Sequence, residues 1–268
     1  MRAALSNKPT EFMGILRLIK QVVWPEIEPP KRALPEPDKP RSVVSPAPRV
    51  PPALREERAR LVFAVDATAS RSAAWEAAKQ LTDILFEAIP GKLDVALAVH
   101  GGGRVHTFTA FTDDAGRLRD MAMGIRCRSG DTRLIDILAR AVREKPKVLV
   151  YIGDCFEESQ REAVSVAEQL KAQGTRVIFL RDGNDRTVAR VFPKLAALTG
   201  GAVLPFDLSS LGRLRELLGA VAVLAVGGEH LLEEKRETLP GAVLLLGYLE
   251  EAKRDGAETK KGPYFLRR

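Results

Sequence analysis

Apolar residues in the middle of the chain come in two kinds of run. Leu61-Val62-Phe63-Ala64-Val65, closed by Asp66, is short, continuous and β-rich, the pattern of a strand buried on both faces, and Lys147 to Ile152 repeats it. Between them Ser72 to Ile89 predicts a helix closed by Pro90-Gly91. Leu93 to His100 and Arg104 to Phe111 are strand-like runs separated only by Gly101-Gly102-Gly103. So short a connection fits an antiparallel hairpin, because a parallel pair needs a crossover. Helices are predicted at Asp114 to Met123, Leu134 to Arg143, Glu157 to Gln173, Arg186 to Leu198 and Leu208 to Leu218, and further strands at Thr175 to Leu180 and Ala202 to Phe206. Strands separated by helix-length segments predict an α/β, doubly wound, mostly parallel sheet with one antiparallel edge hairpin.

The flanks are different. Residues 1–60 hold 12 Lys/Arg against 7 Asp/Glu and 11 of the 17 prolines, and residues 253–268 hold 6 Lys/Arg against 2 Asp/Glu. The formal charge of +7 therefore lives in the arms, and the middle is net −2. The predicted organisation is a short amphipathic segment over 1–24, a Pro-rich basic linker over 25–57 that favours polyproline II, the α/β domain over 58–226, an apolar docking extension over 227–252 and a basic tail over 253–268. The extension is too apolar to be a free tail and is expected to return to the domain or to form a docking element. The longest uncharged apolar run, Leu217 to Gly228, falls short of the ~18 residues that span a bilayer. The opening residues do not read as a secretory signal, and Cys127 and Cys155 cannot build a disulfide framework. A cytoplasmic protein is expected.

In a doubly wound sheet, ligands sit beyond the carboxyl ends of the strands. There the first strand ends in Asp66-Ala67-Thr68-Ala69-Ser70, and the second buried strand in Gly153-Asp154-Cys155. Between them Ser129-Gly130-Asp131-Thr132 opens a helix. Oxygen donors drawn from three loops suit a hard cation such as Mg²⁺. The plain alternative is that Asp66 and Thr132 merely cap helices.

Asp66-x-Thr68-x-Ser70, Thr132 in a Gly-x-Thr helix start, and Asp154 after an apolar strand together resemble the metal-ion-dependent adhesion site (MIDAS) of von Willebrand factor type A (VWA) domains. The resemblance covers roughly residues 58–225. Thr68 stands where the family commonly has serine and keeps the hydroxyl, while Gly153-Asp154-Cys155 stands for Thr-Asp-Gly. It implies that Ser70, Thr68 and Thr132 offer hydroxyl oxygens to Mg²⁺ (or Mn²⁺), that Asp66 and Asp154 bind it directly or through water, and that a partner's Asp or Glu completes the shell. Arg126, Arg128 and Arg133 around Thr132 predict a locally positive rim for an acidic partner.

Other chemistry finds little support. Gly101-Gly102-Gly103-Arg104 lacks the Lys-Ser/Thr of a phosphate loop and precedes no helix. His100, His106 and His230 do not make a zinc pattern, and no Ser/His/Asp or Cys/His arrangement emerges. The Asp-x-Asp of haloacid dehalogenase phosphotransferases is missing, since Thr68 occupies its second position. Cys127 and Cys155 read as small buried residues, with a redox pair as the alternative. The expectation is a non-catalytic, Mg²⁺-dependent protein-interaction module. The alternatives are an accessory subunit of a separate AAA-type ATPase, suggested by intracellular members of that family, and nucleic-acid binding through the basic arms.

Overall fold

The structure is a computed structural model that describes residues 58–68, 79, 82–181, 183–205 and 211–261, with side chains to residue 256. The N-terminal segment, the Pro-rich linker, Ser70 and most of the helix predicted from Ser72 lie outside the described residues. The chain divides into two units, Met1–Pro51 and Pro52–Arg268, and everything below belongs to the second.

Six strands form one sheet: β1 (Ala59–Asp66), β2 (Leu93–Gly101), β3 (Arg104–Phe108), β4 (Val148–Gly153), β5 (Arg176–Arg181) and β6 (Ala202–Pro205), in the order β3-β2-β1-β4-β5-β6. All neighbours are parallel except the β2–β3 hairpin at the edge. This is the predicted architecture. The described helices are α1 (Ile84–Glu87), α2 (Ala115–Met123), α3 (Leu134–Glu144), α4 (Gln160–Ala172), α5 (Val188–Thr199), α6 (Leu211–Glu234) and α7 (Pro240–Lys261).

Alternation along the strands splits the core into two layers. Leu61, Phe63 and Val65 of β1, with Val95, Leu97 and Val99 of β2 and Val150 and Ile152 of β4, point to the face covered by α1, α2, α6 and α7. Val62, Ala64, Ala96, Ala98, Leu149 and Tyr151 point to the face covered by α3, α4 and α5. Small alanines on that second face let the apolar side of α3 lie close, where Leu134, Ile137, Leu138 and Ala141 are buried.

The C-terminal part departs from expectation. The helix predicted to stop at Leu218 continues to Glu234, passing the proposed domain end at 226, and bends at Gly228 (φ 65°, ψ −162°), a conformation open essentially to glycine. The apolar run Leu217 to Ala225 is buried because α6 lies across β1, β2 and β4. Among the described residues no helix is long and apolar enough to cross a membrane. The extension returns to the domain as α7, burying Ala242, Leu245 and Leu249 in the first core layer. Its entry is tight, since a Cβ on Gly241 would fall 2.0 Å from the Glu216 carbonyl oxygen. Arg176 of β5 donates to Glu229 of α6 at 2.6 Å, and Lys253 of α7 donates to the other oxygen of the same carboxylate at 2.5 Å. Partial burial pushes the Glu229 carboxyl up, but Lys253 and Arg176 outweigh it and hold the pKa below the usual range.

One imidazole is locked inside the sheet. His100 of β2 is fully buried; its Nε2 lies 2.8 Å from the Tyr151 hydroxyl, and Tyr151 in turn packs edge-on against Phe179 and Phe192. Burial, with His106 and Arg133 adding to it, lowers the His100 pKa to about 4, so the ring is neutral at pH 7.

Two measurements test this architecture. Leu245→Ala should cost about 2–5 kcal/mol in urea unfolding, the range for a fully buried leucine, and Gly241→Val should also destabilise by forcing α7 off α6. An unfolding midpoint unmoved by either substitution would separate α7 from the core. His100 is ordinary in the unfolded chain and depressed in the folded one, so the unfolded state binds more protons between the two values. Stability should be complete above about pH 6.5 and fall by roughly 3 kcal/mol as pH drops toward 4. His100→Gln should flatten that decline.

Candidate functional site

The site begins at the end of the central strand. Asp66 is the last residue of β1 and has no exposed surface. Its Oδ1 accepts the Thr68 backbone N–H at 2.9 Å, an Asx-type turn that holds the carboxylate over the start of the next loop. Parallel register pairs Asp66 with His100 on one side, and the last β1–β4 pair on the other is Val65 with Ile152. Gly153 and Asp154 therefore follow immediately beside Asp66, so that the two aspartates cap adjacent strands. Gly153 is required by its neighbour, because a Cβ there would meet the Tyr151 ring at 2.4 Å.

His100 Nδ1 lies 3.9 Å from Asp66 Oδ1, yet the two do not form an ion pair. That nitrogen accepts the Arg133 backbone N–H at 3.3 Å, which places the ring proton on Nε2, facing Tyr151. The imidazole thus works as a neutral hook that ties the loop before α3 to the end of β2.

That loop is fastened at several points. Arg128 N donates to the Ala67 carbonyl at 2.9 Å, and Gly102 N donates to the Arg128 carbonyl at 3.3 Å. Gly130 has φ 145° and passes so near the hairpin turn that a Cβ would sit 2.4 Å from Gly102 Cα. Thr132 ends up buried, 1% exposed. Its N–H donates to Glu157 Oε2 and its Oγ1 accepts the Glu157 N–H, both at 3.2 Å. The helix-capping alternative for Thr132 does not describe this arrangement: the residue in the cap position of α3 is Arg133, which makes no side-chain cap bond. The α3 amides of Leu134 and Ile135 are taken instead by Glu158, at 2.6 and 3.0 Å. For Asp66 the Asx turn is present, but the helix it would cap lies outside the described residues.

The structure thus brings Asp66, the Thr132 loop and Asp154 to one end of the sheet, with Thr68 half-buried beside them; Ser70 lies outside the described residues. Among the described residues no group of three or more His, Cys, Asp or Glu gathers as a metal site. The donor set here is two carboxylates and hydroxyls, a different chemistry that fits a hard cation. The Thr132 hydroxyl suits it in particular. Its oxygen takes the Glu157 N–H on one lone pair, and a hydroxyl oxygen has a second to offer.

The three predicted arginines are not placed alike. Arg126 and Arg128 are exposed, but Arg133 turns back to donate from Nε to the Gly103 carbonyl at 2.7 Å. The third loop carries Asp154, Glu157 and Glu158. Burial raises the Cys155 thiol pKa, and Glu157, Asp185 and Asp154 raise it further. Burial also raises the Glu158 carboxyl, opposed by the Ile135 and Leu134 amides and by Thr132. Glu157 and Glu158 escaped the sequence reading because a Glu-Glu pair just before Ser159 looks like the acidic start of its own helix. Ser159 does cap α4, accepting from Glu162 N at 3.3 Å, while both glutamates reach across to α3.

No family model matches the chain, and no curated protein matches it. Solved structures do. A von Willebrand factor type A protein from Catenulispora acidiphila aligns with TM-score 0.53 and 17% identity over 62% of this chain and 43% of that one. An aerotolerance-related membrane protein from Bacteroides fragilis NCTC 9343 aligns with TM-score 0.47 and 18% identity over 60% of this chain and 98% of its own. The SpRpn10 VWA domain aligns with TM-score 0.47 and 11% identity over 59% and 95%. At these identities the likeness is one of fold, and the sheet order, the edge hairpin and the two helical layers of this chain are those of a Rossmann-like VWA α/β fold.

Proposed function

We propose that this chain is a non-catalytic protein-interaction module that binds Mg²⁺, or Mn²⁺ in its place, and through it one Asp or Glu of a partner protein. The observation that carries the reading is the convergence at one sheet end: two aspartates cap adjacent strands, and the loop holding the buried Thr132 hydroxyl is fastened to both neighbouring loops. Asp66 and Asp154 would hold the ion by charge, and Thr68, Ser70 and Thr132 by hydroxyl oxygens. A hard divalent cation held there supplies an electrophilic position for an external carboxylate oxygen.

The protein's own residues do the rest. His100, kept neutral by burial, steadies the Thr132 loop without adding positive charge beside the ion. Exposed Arg126 and Arg128 remain able to pair with further acidic groups on the partner, whereas the Nε of Arg133 is already occupied. The reading assigns no nucleophile or general base: the His100 imidazole is buried and held, and the Cys155 thiol is pushed toward its protonated form.

Isothermal titration of the full chain with Mg²⁺ and Mn²⁺ should give one ion per chain, with binding lost in Asp66→Ala and weakened in Thr132→Ala. Equal uptake by all three proteins would refute the site. With a partner in hand, chelation should abolish binding, while added salt should mainly slow association by screening the arginines. One acidic residue on the partner should prove indispensable; if none does, and EDTA leaves affinity unchanged, the ion plays no part in the contact.

A further inference from the structure

Four consecutive amide donors at the start of α3 are met within this chain. Thr132 N–H goes to Glu157 Oε2, Arg133 N–H to His100 Nδ1, Leu134 N–H to Glu158 Oε1 and Ile135 N–H to Glu158 Oε2. Donors at a helix start are usually met by a side chain one to three residues away or by water. Here two of them are met by a single carboxylate 23 and 24 residues along the chain, half-buried beneath the loop that follows Asp154. The residue before it, Glu157, donates its N–H to the Thr132 hydroxyl oxygen at 3.2 Å.

We propose that Glu158 is a positioning residue of the metal rim, clasping the start of α3 to the third loop and so holding Thr132 against the neighbouring Glu157 amide. The inference rests on the metal-binding reading above and deepens it. Glu158 does not itself qualify as a ligand. Each of its two oxygens already accepts an amide hydrogen, and the carboxylate charge belongs to the positive end of the α3 dipole. It acts through Thr132.

The need for a carboxylate is specific. Two amide donors converge on it, one on each oxygen, and a carboxylate offers an acceptor at both. A glutamine has one acceptor oxygen and would turn its NH₂ toward an amide N–H. One end of the clasp would open, and Thr132 would be free to shift from the Glu157 amide that holds its oxygen. Partners that orient metal ligands from behind typically change affinity by about 10–100-fold when removed.

The test uses the full chain and Mn²⁺ alone, titrated calorimetrically against wild type, Glu158→Gln, Thr132→Ala and the double variant, with thermal melts alongside. Glu158→Gln should weaken Mn²⁺ binding by about 10–100-fold. The double variant should bind within about twofold of Thr132→Ala alone, since a residue that acts only through Thr132 has nothing left to position once that hydroxyl is gone. A general loss of fold would instead add to the Thr132→Ala defect and appear in the melts. Should Glu158→Gln fail to fold, Glu158→Asp keeps the charge at the helix start while withdrawing the oxygens, and the same non-additivity is expected of it. Wild-type affinity in the Glu158 variants, or losses that multiply in the double variant, overturns the inference while leaving the metal site standing. A wild-type chain that takes up no Mn²⁺ overturns both.

Discussion

A carboxylate with no exposed surface stands at the end of a central strand, β1, and the carboxyl end of the sheet is arranged around it. Every residue of β1 from Leu61 to Asp66 is buried, because β1 has β2 on one side, β4 on the other and a helical layer on each face. A charge in such a place costs several kcal/mol unless hydrogen bonds or a counter-ion compensate it. The nearby chain supplies the Thr68 amide on Oδ1, while the imidazole at the paired position is kept neutral by burial. The neutrality of His100 is itself a product of packing, since the ring lies among Tyr151, the Arg133 amide and small residues of β1 and β2.

Much of this was legible in the chain. Continuous apolar runs for β1 and β4, the three-glycine hairpin and helix-length spacers predict a mostly parallel sheet with one antiparallel edge strand, and that sheet is observed. The rim position of Asp66, Thr132 and Asp154 follows from the same reading, because strand ends in this topology are fixed by register rather than by loop detail. What failed is local pattern standing in for tertiary contact. The run from Leu217 to Gly228 reads as the end of a domain, yet its lack of charge reflects burial against three strands, and only Gly228 interrupts the helix. Glu157 and Glu158 look like the acidic first turn of α4, and nothing within a few residues of them announces that their partners lie some two dozen residues earlier. Three arginines counted along one loop also look alike in the sequence, whereas the fold leaves two exposed and sets the Nε of Arg133 on the Gly103 carbonyl.

The two halves of the domain do different work with the same sheet. On the α6–α7 side, contacts are apolar and close, with glycine at the tightest approach and an Arg176–Glu229–Lys253 bridge fastening β5 to both C-terminal helices. Surface ion pairs of this kind contribute modestly, so their chief effect is to fix which turn of α7 meets α6. On the carboxyl rim, polar contacts between loops replace apolar packing. Each of the described rim loops is bonded to another: Ala67 to Arg128, Arg128 to Gly102, Arg133 to His100, Thr132 to Glu157. Such a rim is rigid only as a set, and displacement of one loop must be felt by its neighbours.

The carboxylates of the third loop give that rim an electrostatic logic. An acidic partner approaching Asp66, Asp154 and Glu157 meets like charge, and exposed arginines on the flank offset it only in part. On the proposed reading, a divalent cation between the two aspartates reverses the sign of the interaction at the point of contact, because at ligand distance it is the largest charge present. Attraction then depends on the ion being there, and the acidic surroundings that would otherwise repel the partner are what retain the ion. A rim that was positive throughout would bind acidic surfaces with or without metal and would discriminate poorly among them. On that reading, carboxylates around a single cation would make recognition conditional: a partner would have to bring an oxygen to one position, with like charge opposing it elsewhere on that loop.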